Sequence, residues 1–229
     1  MIDILSINYC PILIRLKNSF NWFDNLPADS TSLNLFLMTE NINQHLPTAY
    51  NDIDAATRLL GFTMASDILT CSLLRTLAAS KPSGKFLELG TGSGLSTSWI
   101  LDGMDDDSTL ISIDNDSSLL NIAGDYLGHD ERLSLVFADG GEWMAANWYQ
   151  KYDYIFADTW HGKYLLLNEA LAMLKKGGLY IIDDMLPQPN WPDGHAEKAQ
   201  QLIATLEARE DLILTKQVWA TGIIVAVKK

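Results

Sequence analysis

The stretch Phe86-Leu87-Glu88-Leu89-Gly90-Thr91-Gly92-Ser93-Gly94, followed by the segment Leu95–Leu101, decides the fold class. A short β-prone run leads directly into three glycines at alternate positions and then into a helical segment. Glycines after a strand let the backbone approach a ligand, and free N–H groups at a helix start favour polar or anionic ligand groups. Because a tight strand-to-helix turn also needs glycine for steric reasons, the loop alone does not establish a ligand site.

β-prone runs alternate with helical ones from residue 85 onward, which is typical of a doubly wound parallel sheet in an α/β fold. The predicted strands are Phe86–Leu89, Leu110–Asp114, Leu133–Ala138, Tyr154–Ala157 and Leu179–Ile182, and the predicted helices are Leu95–Leu101, Ser117–Leu127, Gly141–Trp148, Leu165–Leu174 and His195–Arg209. The basic and glycine residues 175–178 are expected to end the fourth helix. Only three residues separate the runs Leu212–Trp219 and Ile223–Val227, so these two strands are expected to pair antiparallel.

The region before this pattern is predicted to be a helical cap over residues 1–82, with helices at Asp54–Leu60 and Met64–Ala79, and residues 83–229 are predicted to form the α/β domain. A chain of 229 residues with 48% apolar residues is enough for one core. Two cysteines, Cys10 and Cys71, suit a reducing compartment better than a disulfide framework. The N-terminal segment lacks the features of a signal peptide or a membrane span, so a cytoplasmic protein is expected.

Acidic side chains outnumber basic ones, 29 to 16, which gives a formal net charge of −13. Such a surface repels phosphate groups, and no basic patch is visible. We therefore expect neither a nucleic acid nor a membrane as partner, and a small molecule as substrate. The sequence leaves a homodimer open.

Acidic residues follow the first three predicted strands at their carboxyl ends. Glu88 ends the first strand, Asp114 ends the second, twenty residues after Gly94, and Asp139 follows the third. A carboxylate at the second position can bind the two hydroxyls of a ribose, and one at the third can accept a hydrogen bond from an adenine amino group. Each of them could instead cap a helix. Together, beside the switch point of the sheet, they favour a nucleoside site.

The E-x-G-x-G-x-G pattern and the C-terminal hairpin resemble the class I S-adenosylmethionine-dependent methyltransferases over roughly residues 64–229. The resemblance implies a seven-stranded, mostly parallel sheet in the order 3-2-1-4-5-7-6 with the last strand antiparallel, and S-adenosyl-L-methionine as cofactor. The cofactor-binding residues it implies are Ser66, Glu88, Gly90, Thr91, Gly92, Gly94, Asp114, Asn115, Asp139, Gly140, Asp158 and Trp160. The nearest rival is a nicotinamide-dinucleotide Rossmann domain, whose usual G-x-G-x-x-G spacing differs from that of these glycines.

Three carboxylates are expected to converge where the fourth and fifth strands end: Asp158, Asp183 and Asp184. Their mutual repulsion would be relieved by a divalent cation with oxygen ligands, with Mg²⁺ as first choice and Ca²⁺ or Mn²⁺ left open. The arrangement resembles the catechol and caffeoyl-CoA type of metal-dependent O-methyltransferase, although Asp184 stands where that family has an asparagine. The alternative is that Asp183 and Asp184 only begin a loop or cap a turn.

Two candidates arise for the catalytic base. The family's lysine follows its first metal-ligand aspartate by three residues; here His161 holds that place and Lys163 lies two residues later. The resemblance thus predicts an O-methyltransferase acting on a hydroxyl of a small molecule, with the loop Met185–His195 walling the acceptor pocket. A metal-independent methyltransferase and a non-catalytic protein that binds the same cofactor remain alternatives.

Overall fold

The computed structural model describes residues 45–229. The expectations for residues 1–44, including Cys10, lie outside the described residues. Cys71 is a buried free thiol. Within the described range, no helix is long and apolar enough to cross a bilayer.

Seven helices and seven strands make up the described part. The helices are α1 (Tyr50–Leu60), α2 (Ile68–Ala79), α3 (Leu95–Gly103), α4 (Ser117–Leu127), α5 (Gly140–Asn147), α6 (Leu167–Met173) and α7 (His195–Glu207). The strands are β1 (Lys85–Leu89), β2 (Thr109–Asp114), β3 (Leu133–Phe137), β4 (Tyr152–Ala157), β5 (Leu174–Ile182), β6 (Leu212–Gln217) and β7 (Ile223–Lys228).

The strands form one sheet in the order β3-β2-β1-β4-β5-β7-β6, as predicted. The first five strands pair parallel, and β7 pairs antiparallel with both β5 and β6. The carboxyl ends of the parallel strands therefore meet at one edge. The strand order reverses at β1, because β2 and β3 lie on one side of it and β4 and β5 on the other. That switch point is where open α/β sheets bind ligands.

Apolar side chains cover both faces of the sheet. On one face, strand residues such as Phe86 and Tyr154 pack against α1 to α4 through residues such as Ile53 and Leu74. On the other face, strand residues such as Ile155 pack against α5, α6 and α7. Because the central strands are buried on both sides, their sequences are almost continuously apolar, as parallel strands require.

Helices α2 and α3 pack closely at Gly103. A Cβ atom at this position would lie 2.2 Å from the carbonyl oxygen of Arg75 in α2. No such contact is sterically allowed, so glycine fixes the close approach of the two helices.

The stretch 175–178 differs from its prediction as a helix end. Helix α6 already ends at Met173, and Lys175 to Gly178 belong to β5, where the pairing with β4 shifts register between Tyr152 and Tyr154. Gly177 adopts a φ of 73° inside this irregularity. Basic residues and glycine suit a helix end and a bulge equally well, so composition could not separate the two.

Candidate functional site

Residues 90–94, the glycine loop, connect β1 to α3 at the switch point of the sheet. Gly90 has a φ of 101°, and a Cβ atom there would lie 2.8 Å from the carbonyl oxygen of Asp158. Gly94 has a φ of 93°, and its Cβ would lie 3.0 Å from the Cβ of Ala123 in α4. The loop therefore needs glycine for its backbone conformation and for its close contacts, while its peptide groups stay open to a cavity.

Asp114 ends β2 beside the glycine loop. Its Oδ2 accepts a hydrogen bond of 2.8 Å from the Gly92 N–H, and its Oδ1 accepts one of 2.9 Å from the Asp116 N–H. Asp114 also lines the cavity that the loop borders. The structure thus brings together the glycine loop and Asp114, two of the features on which the nucleoside prediction depends.

Glu88 lies beneath the glycine loop and is fully buried. Its carboxylate accepts hydrogen bonds from the hydroxyls of Ser96, Thr97 and Ser112, at 2.7, 2.6 and 2.5 Å. Burial raises the pKa of Glu88 to about 7, although these three hydroxyls oppose the rise. The geometry makes Glu88 a link between β1, β2 and the start of α3.

The main cavity has a volume of about 480 Å³ and runs from the glycine loop to the segment that follows β5. Nine of the predicted site residues border it: Ser66, Gly90, Thr91, Gly92, Asp114, Asp158, Trp160, Lys163 and Asp184. Of these, Lys163 is only 4% exposed. A ligand bound at the loop would therefore share one cavity with these carboxylates and with a buried ammonium group.

A side cavity of about 40 Å³ adjoins Asp114 and is bordered by Asn115, Gly140 and His161. Asp139 caps α5 through hydrogen bonds of 2.8 and 3.0 Å from the Gly141 and Glu142 N–H groups. The His161 Nε2 lies 3.9 Å from Asp139 Oδ1.

His161 and Lys163 therefore border different cavities. Gly162, which lies between them, has a φ of 83°. Of its two neighbours, Lys163 borders the main cavity and His161 borders the side cavity.

Asp158, Asp183 and Asp184 lie close enough to influence one another. Burial raises the pKa of Asp183 to about 7 and that of Asp184 to about 6, and the charge of Asp158 adds to both shifts. The positive charge of Lys163 lowers the pKa of Asp184. The three carboxylates therefore lie near one another where β4 and β5 end.

Hydrogen bonds engage one carboxylate oxygen of Asp183 and one of Asp158. Asp183 Oδ1 accepts from the Thr221 hydroxyl, from the Thr70 hydroxyl at 3.3 Å and from the Asp184 N–H at 2.8 Å. Asp158 Oδ2 accepts from Ser66 Oγ at 2.9 Å. Over residues 45–229, no group of three histidine, cysteine or acidic side chains is arranged to hold a metal ion. The donor set, as folded, does not fit a divalent cation.

Aromatic side chains form the wall of the main cavity opposite the glycine loop. This aromatic wall consists of Trp160, Tyr164, Trp191 and His195, all of which border the cavity. The rings of Trp191 and His195 are tilted by 41° with centroids 4.4 Å apart. Such a wall suits a planar or apolar ligand group.

Phe62, Tyr164 and His195 were missed as site residues by the sequence reasoning. Phe62 follows the left-handed Gly61 that ends α1, and its ring faces Gly92 at 3.6 Å from the position of an added Cβ. Tyr164 lies on the loop after β4, and His195 is the first residue of α7. No spacing rule connects residues that only the tertiary structure brings together.

Comparison with known proteins agrees with this geometry. Residues 87–185 match the family model described as a methyltransferase domain. No curated protein matches the chain.

Many solved structures share the fold. One is the O-methyltransferase TomG from Streptomyces achromogenes in complex with S-adenosylmethionine, with 20% identity over 87% of this chain and 95% of that chain and a TM-score of 0.68. Another is the O-methyltransferase from Bacillus cereus in complex with S-adenosylhomocysteine, with 16% identity over 87% and 96% of the two chains and a TM-score of 0.69. A third, from Staphylococcus aureus, is described as a candidate caffeoyl-CoA O-methyltransferase, with 17% identity, 80% and 93% coverage and a TM-score of 0.68. Over residues 87–185 the chain therefore resembles a methyltransferase domain, and its described part has the same fold as these O-methyltransferase structures, one of which is described as a candidate caffeoyl-CoA O-methyltransferase.

Proposed function

We propose that this protein transfers the methyl group of S-adenosylmethionine to a hydroxyl group of a small molecule. The observation that carries the proposal is the main cavity, because it joins the glycine loop and Asp114 to a buried ammonium group and an aromatic wall. A methyl donor and an acceptor held in one cavity can react in line, and holding them together removes much of the entropic barrier. The complexes of TomG and of the Bacillus cereus enzyme support the choice of cofactor.

The residues of the glycine loop fit this cofactor. Gly90 and Gly92 expose backbone to the main cavity, and the carboxylate of Asp114 lies where the ribose hydroxyls would bind. The side cavity beside Asn115 and Gly140 would take part of the base. When bound, the cofactor supplies an electrophilic methyl group on a positively charged sulfur.

Lys163 is the side chain we assign to the acceptor oxygen. It is 4% exposed and borders the main cavity with Asp184 and Tyr164. A lysine side chain carries a positive charge near neutral pH, and this charge stabilises an oxygen that becomes negative as it loses its proton. His161 borders the side cavity instead, so we assign it no part in the reaction.

The second candidate function is the metal-dependent O-methyltransferase predicted from the sequence. It is favoured by the closeness of Asp158, Asp183 and Asp184. Against it stands the placement of these side chains, because no group of three histidine, cysteine or acidic side chains within residues 45–229 is arranged to hold a metal ion. We therefore derive the reaction from the side chains alone and propose that it proceeds without a divalent cation.

A methylation assay with a chelator tests both points. Purified protein is incubated with S-adenosylmethionine and catechol, a small diphenol, and S-adenosylhomocysteine is quantified. We expect turnover that is unchanged by EDTA. Loss of turnover in EDTA that Mg²⁺ restores would favour the metal-dependent candidate, and no turnover with any hydroxyl compound tested would contradict the proposed function.

Lys163→Met tests the assigned role in the same assay. We expect it to lower kcat by about 10²–10³, the usual cost of removing an electrostatic stabiliser, while cofactor affinity is retained. Lys176→Met is the matched control, since Lys176 lies exposed on β5. Equal activity of the two variants would remove Lys163 from the mechanism.

A further inference from the structure

Tyr164 and His195 form a hydrogen-bonded pair within the aromatic wall. The Tyr164 hydroxyl lies 3.0 Å from His195 Nε2, and the two rings are nearly perpendicular, at 85°, with centroids 5.1 Å apart. Tyr164 comes from the loop after β4, and His195 is the first residue of α7. Both side chains border the main cavity, so the pair connects that cavity to the imidazole ring.

Packing holds the His195 ring in one orientation. Trp191 lies 4.4 Å from it and Trp160 lies 5.8 Å from it, measured between ring centroids. Its Nδ1 is buried and, among the described residues, has no hydrogen-bond partner. The imidazole therefore exchanges protons with the cavity through Nε2 and the Tyr164 hydroxyl.

The surroundings of His195 favour a neutral ring. Burial lowers the pKa of His195, and the positive charges of Lys163 and Lys198 lower it further. Its place at the N-terminus of the 13-residue helix α7 acts in the same direction, because the helix dipole disfavours a cation there. A neutral imidazole can accept a proton near neutral pH.

Tyr164 itself stays protonated. Burial raises the pKa of Tyr164 to about 12, and the negative charges of Asp184 and Asp158 add to the rise. Tyr164 borders the main cavity together with Asp158 and Asp184, where the acceptor oxygen is expected. Tyr164 can therefore receive a proton on its oxygen only if it passes its own proton on to Nε2.

We propose that Tyr164 and His195 form the proton-accepting pair for the acceptor hydroxyl, an inference that rests on the proposed function. The acceptor O–H gives its proton to the Tyr164 oxygen while the Tyr164 proton moves to His195 Nε2. The acceptor oxygen forms the new C–O bond as the methyl–sulfur bond breaks, so the sulfonium becomes a neutral thioether. Tyr164 ends unchanged, His195 ends as an imidazolium, and this proton later passes to water.

Two acceptors of different acidity test the inference, because 4-nitrocatechol is already ionised near pH 8 and catechol is not. We expect Tyr164→Phe and His195→Gln to lower kcat with catechol by about 10²–10⁴, the usual cost of losing a general base. With 4-nitrocatechol we expect the loss to stay below tenfold. His129→Gln is the matched control and should leave both rates unchanged, since His129 is exposed and borders neither cavity.

The pH profile gives a second readout. The wild-type kcat with catechol should fall as the pH drops through the pKa of His195, and His195→Gln should lack this fall. Equal losses with both acceptors would indicate a purely structural role and would overturn the inference, as would full activity of either variant with catechol. If the wild-type protein binds S-adenosylmethionine but methylates neither compound, the proposed function fails and the inference fails with it.

Discussion

At the scale of a single residue, Glu88 makes the free energy of unfolding depend strongly on pH. Its carboxyl group has a pKa of about 7 in the folded protein because it is fully buried, whereas the ordinary pKa of a glutamate is 4.5. The folded state therefore keeps this proton between pH 4.5 and 7 while the unfolded state loses it. The contribution of Glu88 to the free energy of unfolding is largest below pH 4.5 and falls as the pH rises to about 7.

Glu88→Gln should remove this dependence, since an amide fills the same space without ionising. We expect the variant to gain stability relative to the wild type as the pH rises from 5 to 8, by an amount on the order of 3 kcal/mol. Urea denaturation at several pH values measures the difference. Glu169→Gln, on the exposed surface of α6, is the matched control. A difference between Glu88→Gln and wild type that does not change with pH would contradict the expectation.

The site residues that the sequence could predict are those on regular elements. Asp114 was predictable because the carboxyl ends of parallel strands share one edge, so a residue that ends β2 must lie beside a loop that follows β1. The placement of His161 and Lys163 was not predictable, because it depends on the left-handed conformation of Gly162. A glycine in a loop adopts either sign of φ, so the sequence does not tell which neighbour faces which cavity.

At the scale of elements, replacing a helical glycine by alanine is expected to have opposite effects on stability at two positions, Gly103 and Gly124. Gly103 ends α3 against the backbone of α2, where an added Cβ would lie 2.2 Å from the Arg75 oxygen. Gly124 lies within α4, and an added Cβ there would meet only Leu135, at 3.9 Å. Glycine-to-alanine substitution therefore tests the close packing of two helices at Gly103 and helix propensity alone at Gly124.

Gly103→Ala should lower the free energy of unfolding by about 1–3 kcal/mol, because α2 and α3 must move apart. Gly124→Ala should raise it by about 0.4–1 kcal/mol, because alanine restricts the unfolded chain and favours the helix. Thermal and urea denaturation of the two variants provide the comparison. Stabilisation by Gly103→Ala would show that the two helices are not in contact as described.

The parallel sheet was predictable from the alternation of strands and helices, and the antiparallel hairpin from the short link at 220–222, whereas the strand order came from the family resemblance. The register irregularity of β5 was not predictable. Lys175 to Gly178 are extra residues that β5 accommodates opposite the stretch between Tyr152 and Tyr154. Only the length of the partner strand, which a single sequence does not reveal, decides between a bulge and a longer helix.

At the scale of the whole molecule, the cofactor should stabilise the fold. Any ligand that binds only the native state raises the free energy of unfolding, by about 2.7 kcal/mol at a hundred times its Kd. We expect S-adenosylmethionine or S-adenosylhomocysteine to raise the Tm by several degrees and NADH to leave it unchanged. A differential scanning measurement at a series of ligand concentrations tests this.

Asp114→Ala is expected to reduce that rise in Tm, since it removes the carboxylate beside the glycine loop. Asp125→Ala, on the exposed surface of α4, serves as its control. A rise in Tm with NADH alone would point to the rival dinucleotide-binding class.

The insertion of β7 between β5 and β6 has a consequence for how the chain reaches its native state. Until the hairpin of β6 and β7 docks, the segment Leu179–Ile182 presents an unpaired and wholly apolar edge. Such an edge pairs readily with the same edge of another molecule. Slow or incomplete docking of the hairpin would therefore lead to aggregation, and the yield of refolded protein should fall steeply as its concentration during refolding increases.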